Sequence, residues 1–212
     1  MPNFLLLFIS LALILASPPV IATPPTELPY EIIVIKSKRL LMVKKGARVI
    51  KKYHAALGQG GIGGKRVEGD KRTPEGEYEI VDSWPSRKFY YFIHLNYPGR
   101  QDAMAGYKKG LISWEELIHI YRAHQEQNGV PPQQTRLGGF IGIHGIGEET
   151  NQKLAIHHDF DWTRGCIALT NAEIDELRQF IGPGTPVTIL NDPADKRLFV
   201  GINVESNISL AD

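Results

Sequence analysis

The stretch E-I-I-V-I-K-S-K-R-L-L-M-V-K-K-G-A-R-V-I-K-K-Y-H-A-A-L, residues 31–57, decides the architecture. Two aliphatic, β-branched runs at 31–36 and 39–44 are separated only by Ser37 and Lys38, a tight turn, and so read as paired strands. Lys45-Gly46-Ala47 then turns the chain into a third strand over 48–57. Residues 78–83 and 89–95 have the same character. Short strands joined by turns, rather than alternating with helices, predict a mainly β fold of the antiparallel sandwich or barrel kind. The 21 glycines and 14 prolines agree with that class.

Upstream, residues 4–16 form an apolar run shorter than the roughly 20 residues that a membrane span needs. Pro18 and Pro19 follow, and Val20-Ile21-Ala22 has the small-residue character of a cleavage site, so residues 1–22 are expected to be a signal peptide. The expected location is therefore outside the cytoplasm, in the periplasm or facing the wall, or on the membrane if the segment is not cleaved. Residues 23–29 read as a Pro-rich linker, 30–191 as one domain and 192–212 as a C-terminal tail. A net charge of +1 gives no electrostatic reason to propose a nucleic-acid partner. The loop G-Q-G-G-I-G-G, residues 58–64, lacks the G-K-[ST] ending of a phosphate loop and has no helix after it, which argues against nucleotide binding.

The strand pattern breaks between residues 96 and 139, making the fold α+β. There S-W-E-E at 113–116 is a capping box, and Trp114, Leu117, Ile118 and Tyr121 recur at helical spacing toward Asn128-Gly129. This insertion is expected to be a helical lid whose apolar stripe packs on its own domain. Beyond it, 140–144 and 166–169 read as strands, and T-N-A-E at 170–173 caps a second helix. That helix turns Ile174, Leu177 and Ile181 inward, and 187–190 is a final core strand.

Chemistry concentrates in D-W-T-R-G-C-I-A-L-T-N, residues 161–171, which holds the one cysteine of the chain, Cys166. In an oxidising compartment a lone cysteine is a buried inert residue, an intermolecular crosslink or a nucleophile. Gly165 lets the backbone turn sharply, and cationic Arg164 favours thiolate over thiol. An ordinary thiol, with pKa of about 8.5, is mostly protonated at neutral pH and needs a base. His144, His157 and His158 are nearby candidates; His54, His94, His119 and His124 lie further off. His144 closes an apolar strand and precedes Gly145, which suits either a firmly held base or a hydrogen-bonded core histidine. His157-His158-Asp159 reads as a polar surface loop, and without C-x-x-C or H-x-x-x-H spacing it is a weak metal signal.

The pair I-H-G at 143–145 and T-R-G-C-I at 163–167 resembles the signature of the L,D-transpeptidase (YkuD-type) catalytic domain, a histidine, a spacer, then Ser/Thr-x-Gly-Cys. G-D-K-R-T-P-E-G-E-Y at 69–78 also resembles the lead into that family's middle strands. The resemblance covers roughly residues 30–190. It departs from the pattern at Arg164, where a histidine is common, at Ala168, where asparagine or arginine is frequent, and in a slightly long spacer. It implies a cysteine acyltransferase acting on peptidoglycan stem peptides, without metal or cofactor. Cys166 would be the nucleophile and His144 the base, oriented by the Gly145 carbonyl, with N–H groups around Gly165 and Cys166 holding the oxyanion. Arg164, Thr163 and Trp162 are candidate substrate-binding residues, each also readable as structural. The same residues fit two other functions: a thiol carboxypeptidase or amidase, in which water resolves the thioester, and a non-catalytic wall-binding module.

Overall fold

Strand β1 (Tyr30–Ile35) buries both of its faces: Ile32 and Val34 enter the main core, while Ile33 and Ile35 join Met42 and Leu190 in a second cluster. A strand apolar on both sides belongs in the middle of a sheet. The computed structural model describes residues 29–193, so the expected signal segment, most of the linker and most of the tail lie outside the described residues. The other strands are β2 (Leu40–Lys45), β3 (Arg48–His54), β4 (Gly76–Ser86), β5 (Tyr90–Leu95), β6 (Gly142–His144), β7 (Ile167–Ala168) and β8 (Pro186–Leu190). The helices are α1 (Arg100–Lys108), α2 (Trp114–Ala123), α3 (Asn151–Asp159) and α4 (Asn171–Leu177).

The eight strands form one sheet in the order β3-β2-β1-β8-β4-β5-β6-β7. The fold is α+β around this sheet, as expected, but the sheet is mixed rather than purely antiparallel. β8 returns through α4 to lie parallel to β1, and β7 lies parallel to β6. β4 serves two partners: Gly76 to Glu79 pair with β8, and Ile80 to Ser86 pair with β5 after a register shift between Ile80 and Asp82. The two edges approach each other through the bridges Ala56 to Ala168 and Gly58 to Thr163, which curl the sheet toward a closed barrel.

Other expectations are corrected in detail. The β1–β2 connection is a 3-10 turn, Lys36–Lys38, completed by Arg39 at φ 48°. The polar segment 151–159 is a helix, α3, capped by Thr150, whose hydroxyl accepts from Lys153 N–H. The insertion holds two helices. Their own small core comprises Ala103, Ile112, Leu117, Ile120 and Leu137. The buried stripe of α2 is Leu117, Ile120 and Ala123, rotated from the expected one, so Trp114 is 60% exposed and packs on Tyr107 instead. Among the described residues no helix is long and apolar enough to cross a membrane.

Ile189 is fully buried in β8, between β1 and β4. Ile189→Ala should destabilise the domain by about 2–5 kcal/mol, seen as a lower midpoint in urea unfolding.

Candidate active site

The site is built where β6 meets β7. Ile143 pairs with Ile167 and His144 with Ala168 in parallel register. Continuing that register sets Cys166 level with Gly142, one strand across and two residues back from His144. The offset is about 5 Å across and about 7 Å along, within mutual reach of two side chains. The 1%-exposed His144 and the half-buried Cys166 are thus brought to one sheet end, with the thiol nearer the surface.

The imidazole is fixed from several sides. His144 Nδ1 donates to the Gly145 carbonyl at 2.7 Å, which leaves Nε2 as the lone-pair nitrogen. Phe89 lies over the ring with centroids 4.2 Å apart, Phe92 stacks at 6.2 Å and Trp162 meets it edge-on at 5.8 Å. Gly145 is required by crowding: a Cβ there would sit 2.5 Å from Asn171 Oδ1. Asn171 in turn accepts from Ile146 N–H and donates to the Gly147 carbonyl, bracing the turn that supplies the orienting carbonyl. In the sequence Asn171 shows only as part of a helix cap.

The cysteine loop is tied by one hydroxyl. Thr163 Oγ1 accepts from Gly165 N–H at 3.1 Å and donates to the Cys166 carbonyl at 2.6 Å. Its backbone pairs with Leu57 and Gln59, joining the loop to the extension of β3. Thr163 is buried, and its hydroxyl is committed inside the loop. Gly165 N–H is likewise committed, so of the two expected oxyanion donors the Cys166 N–H is the one that the loop leaves free among the described residues. Gly165 adopts φ 128°, and a Cβ would stand 2.7 Å from the Arg72 carbonyl. The G-D-K-R-T-P-E-G segment therefore packs directly against the cysteine loop. It is itself organised by Asp70, which accepts from the N–H groups of Arg66, Val67 and Arg72 and from Lys65 Nζ.

Burial governs the electrostatics. It holds His144 down at about 4, against the partial lift from the Gly145 bond, and pushes the Cys166 thiol up to about 11, against the partial lowering from a Gly142 backbone hydrogen bond. The resting pair is neutral imidazole and neutral thiol. The expected thiolate-favouring effect of Arg164 is not realised: the cations acting on the sulfur are Lys65 and Lys88, and Arg164 is exposed. The thiol donates to the Phe140 carbonyl at 3.5 Å.

The other histidines of this region are engaged with partners of their own. His157 is buried, contrary to the surface reading, its Nδ1 accepting from Trp162 Nε1 at 3.5 Å, while His158 stacks on His54. Arg39 anchors that region by bonding the carbonyls of His157, His158 and Phe160. Among the described residues no cluster of three or more His, Cys, Asp or Glu could hold a metal ion. A cavity of about 520 Å³ between the start of β4 and α1 includes neither Cys166 nor His144 in its lining.

The sequence profile of the YkuD family, the L,D-transpeptidase catalytic domain, matches residues 29–189. YafK of Escherichia coli K12, provisionally named an L,D-transpeptidase, is 26% identical over 159 residues, covering 72% of this chain and 47% of YafK. The chain thus spans about half the length of the curated relatives it matches. Among solved structures, Bd1075 of Bdellovibrio bacteriovorus is similar at 22% identity and TM-score 0.48, over 78% of this chain and 49% of that one. The helical cell shape determining protein Pgp2 of Campylobacter jejuni is similar at 20% identity and TM-score 0.48, over 79% and 50%.

Gly165→Ala should slow alkylation of Cys166 by tenfold or more while circular dichroism stays that of the folded domain, because the added methyl must displace the Arg72 carbonyl or flip the loop.

Proposed function

The chain belongs to the L,D-transpeptidase catalytic-domain family, and from that premise we propose that it is a peptidoglycan L,D-transpeptidase with Cys166 as nucleophile and His144 as base. The observation that carries this reading is the Nδ1 bond from His144 to the Gly145 carbonyl, which leaves the lone pair on Nε2 at the strand tip next to the cysteine strand.

In this mechanism the thiol gives its proton to Nε2 as sulfur attacks the carbonyl that links the diamino acid of a stem tetrapeptide to its terminal D-alanine. The tetrahedral oxyanion is held by the Cys166 N–H, a donor of the kind worth about 3–4 kcal/mol in comparable sites. Collapse breaks the C–N bond, and D-alanine leaves as its amine with the proton from His144. An acceptor amine then attacks the thioester carbonyl, His144 takes a proton from it, and the thiol is regenerated when the C–S bond breaks. Exposed Arg164 is the proposed partner of a stem-peptide carboxylate, and Trp162, packed on the imidazole, the wall of the cleft. The setting that fits such a substrate is the periplasm or the wall face.

Incubating the protein with a stem tetrapeptide and an amine acceptor, followed by mass analysis, tests the activity. Crosslinked product supports the transfer reaction, tripeptide alone replaces it with the carboxypeptidase reading, and unchanged tetrapeptide with the binding-module reading. Cys166→Ala should abolish both product and the covalent acyl-enzyme mass. His144→Ala should lower kcat/KM by about a hundredfold or more. An active Cys166→Ala variant would remove the mechanism.

The pH dependence follows from the neutral resting pair. A base held down at about 4 keeps its lone pair through the mildly acidic range, and the thiol keeps its proton until about 11. The kcat/KM profile should therefore be flat from about pH 5 to 9, its acid limb near 4. A limb near the ordinary histidine value of about 6.5 would show that the imidazole is not desolvated in the working enzyme.

A further inference from the structure

The insertion reaches the nucleophile through one side chain. Gln133, near the insertion's C-terminal end, accepts the Phe140 N–H at 2.5 Å and sits 3.2 Å from His94 Nε2 through the same Oε1. Its Nε2 donates to the carbonyls of Tyr97 at 2.9 Å and Pro131 at 2.7 Å. Both ends of the amide are thus used on backbone from both sides of the insertion. Phe140 adopts φ 52°, a left-handed conformation that a bulky side chain adopts only under constraint. Its ring is 58% exposed, stacked on His94 at 5.8 Å, and so does little to hold the backbone there. The carbonyl of this constrained residue is the one that accepts the Cys166 thiol.

We propose that Gln133 is a positioning residue for Cys166: by holding Phe140 N–H it fixes the Phe140 carbonyl as acceptor of the thiol hydrogen and keeps the resting nucleophile as S–H. The proposal deepens the transpeptidase reading and rests on it for its functional meaning. A hydrogen bond made only by the protonated form disfavours the charged one. The site therefore stores a nucleophile of low basal reactivity, and Gln133 ties that storage to the insertion. The cations acting on the sulfur, Lys65 and Lys88, lie on other segments, and the Gly142 backbone hydrogen bond that favours the thiolate comes from β6, where Gly142 pairs with His94.

The test is the pH dependence of Cys166 alkylation by iodoacetamide in the full chain, which needs no peptide substrate. Gln133→Met, which keeps the length and loses the amide, should shift the midpoint down by roughly half a unit or more. Phe140→Pro, which removes the N–H and forbids the positive φ, should shift it the same way. Phe140→Gly, which retains both the N–H and the conformation, should leave it in place. An unchanged midpoint in folded Gln133→Met or in Phe140→Pro overturns the proposal, and the exposed position 140 carries the test if residue 133 tolerates no change. Because the readout is chemical, a shifted midpoint together with failure on stem peptides would remove the transpeptidase reading and leave the positioning role standing.

Discussion

The parallel pairing of β6 with β7 is the constraint on which the site depends. Only two register pairs define it, Ile143 with Ile167 and His144 with Ala168, yet they fix the offset between a buried imidazole and a half-buried thiol. So short a strand does not hold itself. β7 is pinned on its other side by Ala56, through reciprocal bonds between the backbones of Ala56 and Ala168, and Thr163 ties the preceding loop to residues 57 and 59. The curl that closes the sheet and the geometry of the nucleophile are therefore one feature.

Around that pairing the protein excludes water more than it gathers charge. Both the imidazole and the thiol are shifted toward their neutral forms by burial, and the surrounding cations are largely occupied elsewhere. Lys65 is bonded to Asp70 and the Val67 carbonyl, and Lys36 to Glu75 and the carbonyls of Gly63 and Thr73. Buried ammonium groups with full hydrogen-bond complements act as structural ties between loops. In this chain they bind the glycine-rich loop and the G-D-K-R-T-P-E-G segment into a support for the cysteine loop.

Much of this was legible in residues 31–57 and 140–171. Strand positions follow from apolar alternation and from Gly and Pro punctuation, and the Ser113 and Thr170 capping boxes mark two helix starts. Cys166 stands out as the one cysteine of the chain, whereas His144 at its strand tip reads equally as a core histidine until I-H-G is set beside T-R-G-C-I and the family signature they resemble. What stayed hidden is set by tertiary contact. The parallel placement of β8 depends on how α4 returns the chain. The weakly amphipathic α3 is held by Arg39 from far upstream, and the α2 stripe turned to meet Leu137 and Ala103. Gln133 and Asn171 act through backbone groups of other segments, which no local pattern reveals. The influence of Arg164 was overestimated because adjacency in sequence does not fix which charges face the sulfur.

The position of β8 has a further consequence, for the order in which the domain can form. Its neighbours β1 and β4 come from the first part of the domain, and their mutual seam is filled only by residues 186–190. A chain without those residues exposes two apolar strand edges and leaves β1 and β4 unjoined, however completely its hairpins have formed. Such long-range closure makes assembly slow and leaves partial chains prone to pairing with each other. The last of the eight strands in chain order is thus the one that seals the seam between β1 and β4.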